Sequence, residues 1–302
     1  MAKKQKKVLN RASLLESLIK PLIVVGLTFT VSMWVGNTIF MVLFGITLFD
    51  YTSVEVIQTL SLIGQWSLTL GFVIFCAKKY SQLTTKDLGF SKQQFGRRYL
   101  TGTAIGIAMM GSVFLINWAL GAINVAVNPQ VDWLMIGLLL LFFMVQGLTE
   151  EVVIRGYLMG TLEQKFGTVA SILLSALVFA GIHSANPGMT LFSTVNLFLA
   201  GVAFAILYRA TGSIWVAGAV HTMWNFFMGP IFGAEVSGLD LASVFKSDSV
   251  STMTFFNGGS FGFEGGIVVT IVFLATTMIF LPRVKEQLVI SVPKLNQEIK
   301  RG

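Results

Sequence analysis

The chain has 302 residues, 54% of them hydrophobic and only 12% charged, with a formal net charge of +7. Soluble domains carry about 25% charged residues, and the apolar residues here come in long blocks. The composition therefore excludes an ordinary water-soluble enzyme and indicates a polytopic membrane protein. The single cysteine, Cys76, allows neither a disulfide framework nor a cysteine-based metal site.

Residues 1–20, MAKKQKKVLNRASLLESLIK, form a basic tail, and the apolar stretch behind it is too long for the core of a cleavable signal peptide. A bilayer core of about 30 Å is crossed by roughly 20 apolar residues in a helix. The blocks are read as helices because every backbone polar group in lipid must be satisfied internally. The sequence predicts eight: Pro21–Leu48, Ile57–Ala77, Leu100–Val125, Trp133–Gly160, Thr168–His183, Thr190–Arg209, Ser213–Phe232 and Gly266–Leu281. The expected fold class is all-α. An eight-helix membrane domain occupies residues 21–282, its chemistry concentrated at about residues 132–230, and a tail follows over residues 283–302.

Lysine and arginine set the orientation. With the N-terminus in the cytoplasm, the inner side holds Lys3, Lys4, Lys6, Lys7, Arg11 and Lys20, then Lys78, Lys79, Lys86, Lys92, Arg97 and Arg98. Arg155, Lys165, Arg209, Arg283, Lys285, Lys294, Lys300 and Arg301 follow on the same side, and the outer loops hold only Lys246. Both termini are thus expected in the cytoplasm, in a multi-pass protein of the cell membrane whose charge orients it in the bilayer and does not recruit nucleic acid. The basic, amphipathic segment Lys78–Tyr99 is expected on the inner surface. Gly229–Gly265, rich in Gly and Ser, is an outer loop that could be a cap or a mobile connection.

Ionisable residues inside a span cost a few kcal/mol each and need a reason. The fourth span carries Glu150, Glu151 and Arg155; the fifth ends in LVFAGIHSAN with His183; the seventh reads SIWVAGAVHTMWNFF with His221 and Asn225. Glu150 and His183 each lie about 16 residues, roughly 24 Å of helix, from an expected turn at Lys165–Thr168, and so stand level with one another. His221 and Asn225, about 12 and 18 Å up the seventh helix, reach the same layer. Glu151 and Arg155 share a helix face as an i, i+4 pair, and Glu150 points about 100° away. Taken singly, each residue has a plain structural use: an ion pair for Glu151 and Arg155, a carbonyl contact for His183, interhelical bonding for Asn225. Their convergence on one layer is what points to chemistry.

At these residues the sequence resembles the CPBP family of intramembrane proteases, also grouped as type II CAAX prenyl endopeptidase-like or Abi proteins, and it looks like a bacterial member. EEVVIRGYL from Glu150 matches the Glu-Glu-x-x-x-Arg motif, FAGIH from Phe179 matches Phe-x-x-x-His, and HTMWN from His221 matches His-x-x-x-Asn. The resemblance implies an endopeptidase acting on a membrane-associated peptide or protein. Glu150 would be the general base on a water, assisted by His183, with His221 and Asn225 donating hydrogen bonds to the oxyanion and Glu151 and Arg155 supporting the site. Glu150, His183 and His221 could also hold Zn²⁺; the metal-free arrangement is preferred. Relatives linked to bacteriocin maturation or immunity suggest the biological setting. A non-catalytic immunity protein or a proton-coupled transporter is the alternative, since buried Glu and His also suit proton relays.

Overall fold

The computed structural model describes residues 11–44 and 55–301. The lysines of residues 1–10, the end of the first expected span and the side chains beyond Val284 lie outside the described residues. The structure is helical apart from one small sheet. In chain order it consists of α1 (Arg11–Phe44), α2 (Glu55–Tyr80), α3 (Phe95–Ala119), β1 (Ile123–Val127), α4 (Trp133–Glu151), α5 (Gly160–Phe166), α6 (Thr168–Ile182), α7 (Leu191–Thr211), α8 (Ile214–Phe226), β2 (Phe245–Ser249), α9 (Thr254–Asn257) and α10 (Ile267–Arg301). A π-helical segment, Val152–Met159, joins α4 to α5 without a break, and a second one, Phe227–Ile231, extends α8.

Six helices among the described residues are long and apolar enough to cross a membrane: Glu16–Gly36, Glu55–Tyr80, Phe95–Ala119, Trp133–Phe166, Leu191–Thr211 and Ile267–Val284. Large apolar side chains such as Leu141, Leu177, Ile271 and Met278 stand exposed on the helices, as a lipid-facing surface requires. The fifth and seventh expected spans are helical but shorter. α6 has 15 residues and stops at His183, where the run Ser-Ala-Asn-Pro-Gly breaks it. α8 has 13 residues and is buried on every side from Val216 to Phe226. It is the central post of the bundle, packed by α3 and α4, and not a lipid-facing span.

Local chemistry sets the boundaries. The Asp132 side chain accepts from the Met135 N–H at 3.0 Å and starts α4; Thr190 and Ser193 form a reciprocal cap that starts α7. Gly167 and Gly212 take positive φ at the α5–α6 and α7–α8 turns. Pro230 has no N–H to answer a carbonyl one turn back, and the last turn of α8 widens there to a Phe232 N–H to Phe227 O bond.

One expected boundary changes. The third span ends at Ala119, because Gly121 turns the chain and the alternating Ile123–Val127 becomes a strand paired antiparallel with β2, from Ile123↔Ser249 to Val127↔Phe245. Between α2 and α3 the basic segment is a folded connection of turns over residues 81–94. There the Asp87 carboxylate accepts from the Thr84 hydroxyl and N–H, which holds its carboxyl below the usual range, and Leu88 is driven fully under the bundle. Small residues bring α3 close to α8: a Cβ on Gly102 or Gly106 would meet Val216 and Val220 of α8.

The Gly229–Gly265 loop is an ordered cap. Glu264 is buried there: its carboxylate accepts from Trp224 Nε1 (3.0 Å) and Ser237 Oγ (2.5 Å), and its backbone carbonyl accepts from Asn196 Nδ2 (2.8 Å). At Gly238, with φ +84°, a Cβ would lie 2.1 Å from Pro187 O, so the cap rests directly on the α6–α7 connection that follows His183.

Candidate active site

α4 and α8 cross in unusually close contact. A Cβ on Gly147 would be 2.9 Å from Thr222 N, and one on Gly218 would be 3.2 Å from Leu148 Cα. Thr222 Oγ1 donates to Phe143 O at 3.1 Å across the same crossing. One turn further along α4 comes Glu150, and on either side of Thr222 come His221 and Asn225. α6 delivers His183 at its C-terminus, level with them. The hairpin turn expected near Lys165–Thr168 is present, at Gly167.

All six residues singled out in the sequence meet here. Glu150 is 4% exposed, and its Oε2 lies 3.8 Å from His221 Nε2 and 4.0 Å from His183 Nε2. That oxygen is buried and has no hydrogen-bond partner among the described residues. The other oxygen, Oε1, accepts from Gln146 Nε2 at 2.5 Å, and Gln146 Oε1 accepts from Asn225 Nδ2 at 3.2 Å. Glu151, fully buried, accepts at Oε1 from both Arg155 Nη1 (2.8 Å) and His221 Nδ1 (2.9 Å).

The two imidazoles are held in the same sense. His183 Nδ1 lies 2.8 Å from Phe179 O, which can only accept, so the proton sits on Nδ1. His221 Nδ1 donates to the Glu151 carboxylate. In each neutral ring Nε2 is therefore a bare lone pair, and both point at Glu150. Three acceptor atoms thus face one small space. Gaps of 3.8–4.0 Å are too long for a hydrogen bond, and a water between them, with two hydrogens to give, can donate to Glu150 Oε2 and to one imidazole nitrogen.

A tetrahedral zinc ion would need these groups drawn closer together. A tetrahedral centre about 2.1 Å from each ligand places ligand atoms roughly 3.4 Å apart, closer than those seen here. Among the described residues no group of three or more His, Cys, Asp or Glu is arranged to hold a metal.

Arg155 is fully buried and does more than pair with Glu151. Its guanidinium lies over Phe179 at 4.5 Å and Phe204 at 5.5 Å, and Nη2 donates to Gly201 O at 3.4 Å. Phe179 also meets the His183 ring at 4.7 Å and the His221 ring at 6.1 Å. The Phe of Phe-x-x-x-His is thus the wall that holds both imidazoles and the cation. Arg155 lies in the π segment, whose eight residues are all buried. Such widened turns recur at functional sites, and nothing in VVIRGYLM, which has no proline, announces one.

Sequence reading missed Gln146, the residue that connects Glu150 to Asn225. It was the only amide in WLMIGLLLLFFMVQ and stands at i−4 from Glu150, a spacing that places both on one face. The plain structural uses weighed for Glu151–Arg155, His183 and Asn225 are all present as well, in the ion pair, the carbonyl contact and the bond between helices.

Residues 132–227 match the family model described as type II CAAX prenyl endopeptidase Rce1-like, and that segment contains every residue of the site. No curated protein matches the chain.

Proposed function

We propose, on the footing that residues 132–227 belong to the type II CAAX prenyl endopeptidase-like family, that the chain hydrolyses a peptide bond of a membrane-associated substrate with a water activated by Glu150. The observation that carries this reading is the buried, partnerless Glu150 Oε2 facing His221 Nε2 at 3.8 Å and His183 Nε2 at 4.0 Å. A water in that space gives one proton to Glu150, and its oxygen attacks the scissile carbonyl while His183 Nε2 orients it. Asn225 spends one amide hydrogen on Gln146 and has the second for the oxyanion. His221 can donate from Nε2 only as the imidazolium, a form that its position between Glu150 and Glu151 accommodates. The carbon–nitrogen bond then breaks, and Glu150 returns its proton to the leaving amine. Glu151, locked by Arg155, fixes the His221 ring.

The bilayer setting and the apolar walls suit a peptide held in or against the membrane. Maturation of, or immunity to, a bacteriocin-like peptide is the setting we favour. Mass spectrometry of membrane peptides from cells carrying the active protein or Glu150→Ala tests the reading. New C-termini should appear only with the active protein, and purified protein should keep cleaving under exhaustive chelation. Identical peptide profiles would return the chain to a non-catalytic role.

A further inference from the structure

Away from this site, at the end of the bundle where lysines gather, the early turns of α1, the end of α2 and the π segment with α5 line an open cavity of about 450 Å³. It is distinct from the catalytic layer: Tyr157 on its wall lies seven residues, about 10 Å of helix, beyond Glu150. Glu16 opens the apolar stretch of α1 and Tyr80 closes that of α2, so the cavity lies at the polar ends of two helices long and apolar enough to cross a membrane, where headgroups would meet it.

Its chemistry is one-sided. Lys20 and Lys165 line it, and no described carboxylate does. Lys20 pairs with Glu16 one turn back on an exposed face, a contact that contributes little. Lys165 has no carboxylate partner among the described residues. Ser81 Oγ and Tyr157 Oη are 3.1 Å apart; the two hydroxyls share one bond, which leaves one proton to donate elsewhere. Pro21 and Ile23 supply an apolar flank on α1. Two cations, a spare hydroxyl proton and an apolar flank at headgroup depth fit a phosphate diester carrying acyl chains. Basic pockets between membrane helices bind such headgroups.

We infer that this cavity binds the phosphate of an anionic phospholipid, tying α1 and α2 to the π segment that carries Arg155. The inference does not depend on the catalytic reading. The test uses the purified full chain, delipidated in detergent and then offered phosphatidylglycerol, phosphatidylcholine or inorganic phosphate. Bound lipid is counted by native mass spectrometry, and the unfolding temperature is followed in parallel. Phosphatidylglycerol should be retained over phosphatidylcholine and should raise Tm. Lys165→Gln should weaken it about fivefold, and Lys20→Gln with Lys165→Gln about 25-fold, as expected for loss of one and two cations near the surface. Both lysines are solvent-accessible, so the variants keep the fold, and Lys246→Gln on the distant strand β2 should leave binding unchanged. Equal retention of the two lipids, or equal loss in Lys246→Gln, overturns the inference. A rise in Tm with inorganic phosphate but none with phosphatidylglycerol overturns the lipid source.

Discussion

Replacing Gly147 by alanine tests whether the α4–α8 crossing sets the active-site geometry. The new Cβ would stand 2.9 Å from Thr222 N and 3.2 Å from Thr222 Oγ1, where ordinary contact begins at 3.4 Å. The obstacle is backbone, so the two helices must part by about half an ångström, the tolerance within which catalytic groups are held. A misplacement of about 1 Å costs about 10²-fold in rate; half of that predicts a loss of about tenfold. Overpacking costs about 1–3 kcal/mol, and alanine regains up to about 1 kcal/mol of helix propensity. The net destabilisation is therefore about 0–3 kcal/mol, too small to empty the folded state. Cleavage rate and thermal unfolding, measured in the same detergent, separate the two effects. Gly137→Ala on the same helix is the control, because its Cβ meets nothing within 4 Å. It should keep full activity and an equal or higher Tm. Wild-type cleavage by Gly147→Ala, or an equal loss in Gly137→Ala, would refute the claim that this contact positions the site.

The other outcomes follow from single contacts. Arg155→Ala leaves the buried Glu151 carboxylate with His221 as its remaining partner and should cost about 3–5 kcal/mol, read as a large drop in Tm or in expression. Asn225→Ala should lower the cleavage rate about 10²–10³-fold with substrate affinity largely kept, as for loss of one oxyanion donor; a change in affinity alone would contradict that role. A reporter fused after Lys92 should stay cytoplasmic and one inserted near Ser247 should not, and finding both on one side would break the orientation drawn from the lysines and arginines.

The helices were legible because long apolar blocks leave lipid no other solution. The layer of Glu150, His183 and His221 was legible too, since a helix rises a fixed distance per residue and a turn at Gly167 sets the register of both arms. What escaped depends on packing. α8 looks like a lipid-crossing span by composition, yet its apolarity answers to neighbours on every side. The cap could not be judged, because its order comes from distant partners such as Trp224 and Asn196 meeting Glu264. The bond from His221 to Glu151 was hidden for the same reason: Arg155 at i+4 was an obvious partner, and an imidazole from another helix was not.

The central claim is that Glu150 removes a proton from the attacking water. The most direct measurement is the cleavage rate of purified Glu150→Gln on the peptide identified from membranes, with protein whose Tm matches the wild type. Glutamine keeps the size and can still bond to Gln146 but cannot accept that proton. The account predicts a fall of at least ~10²-fold with the substrate still bound. Cleavage near the wild-type rate by verified, folded Glu150→Gln would contradict it.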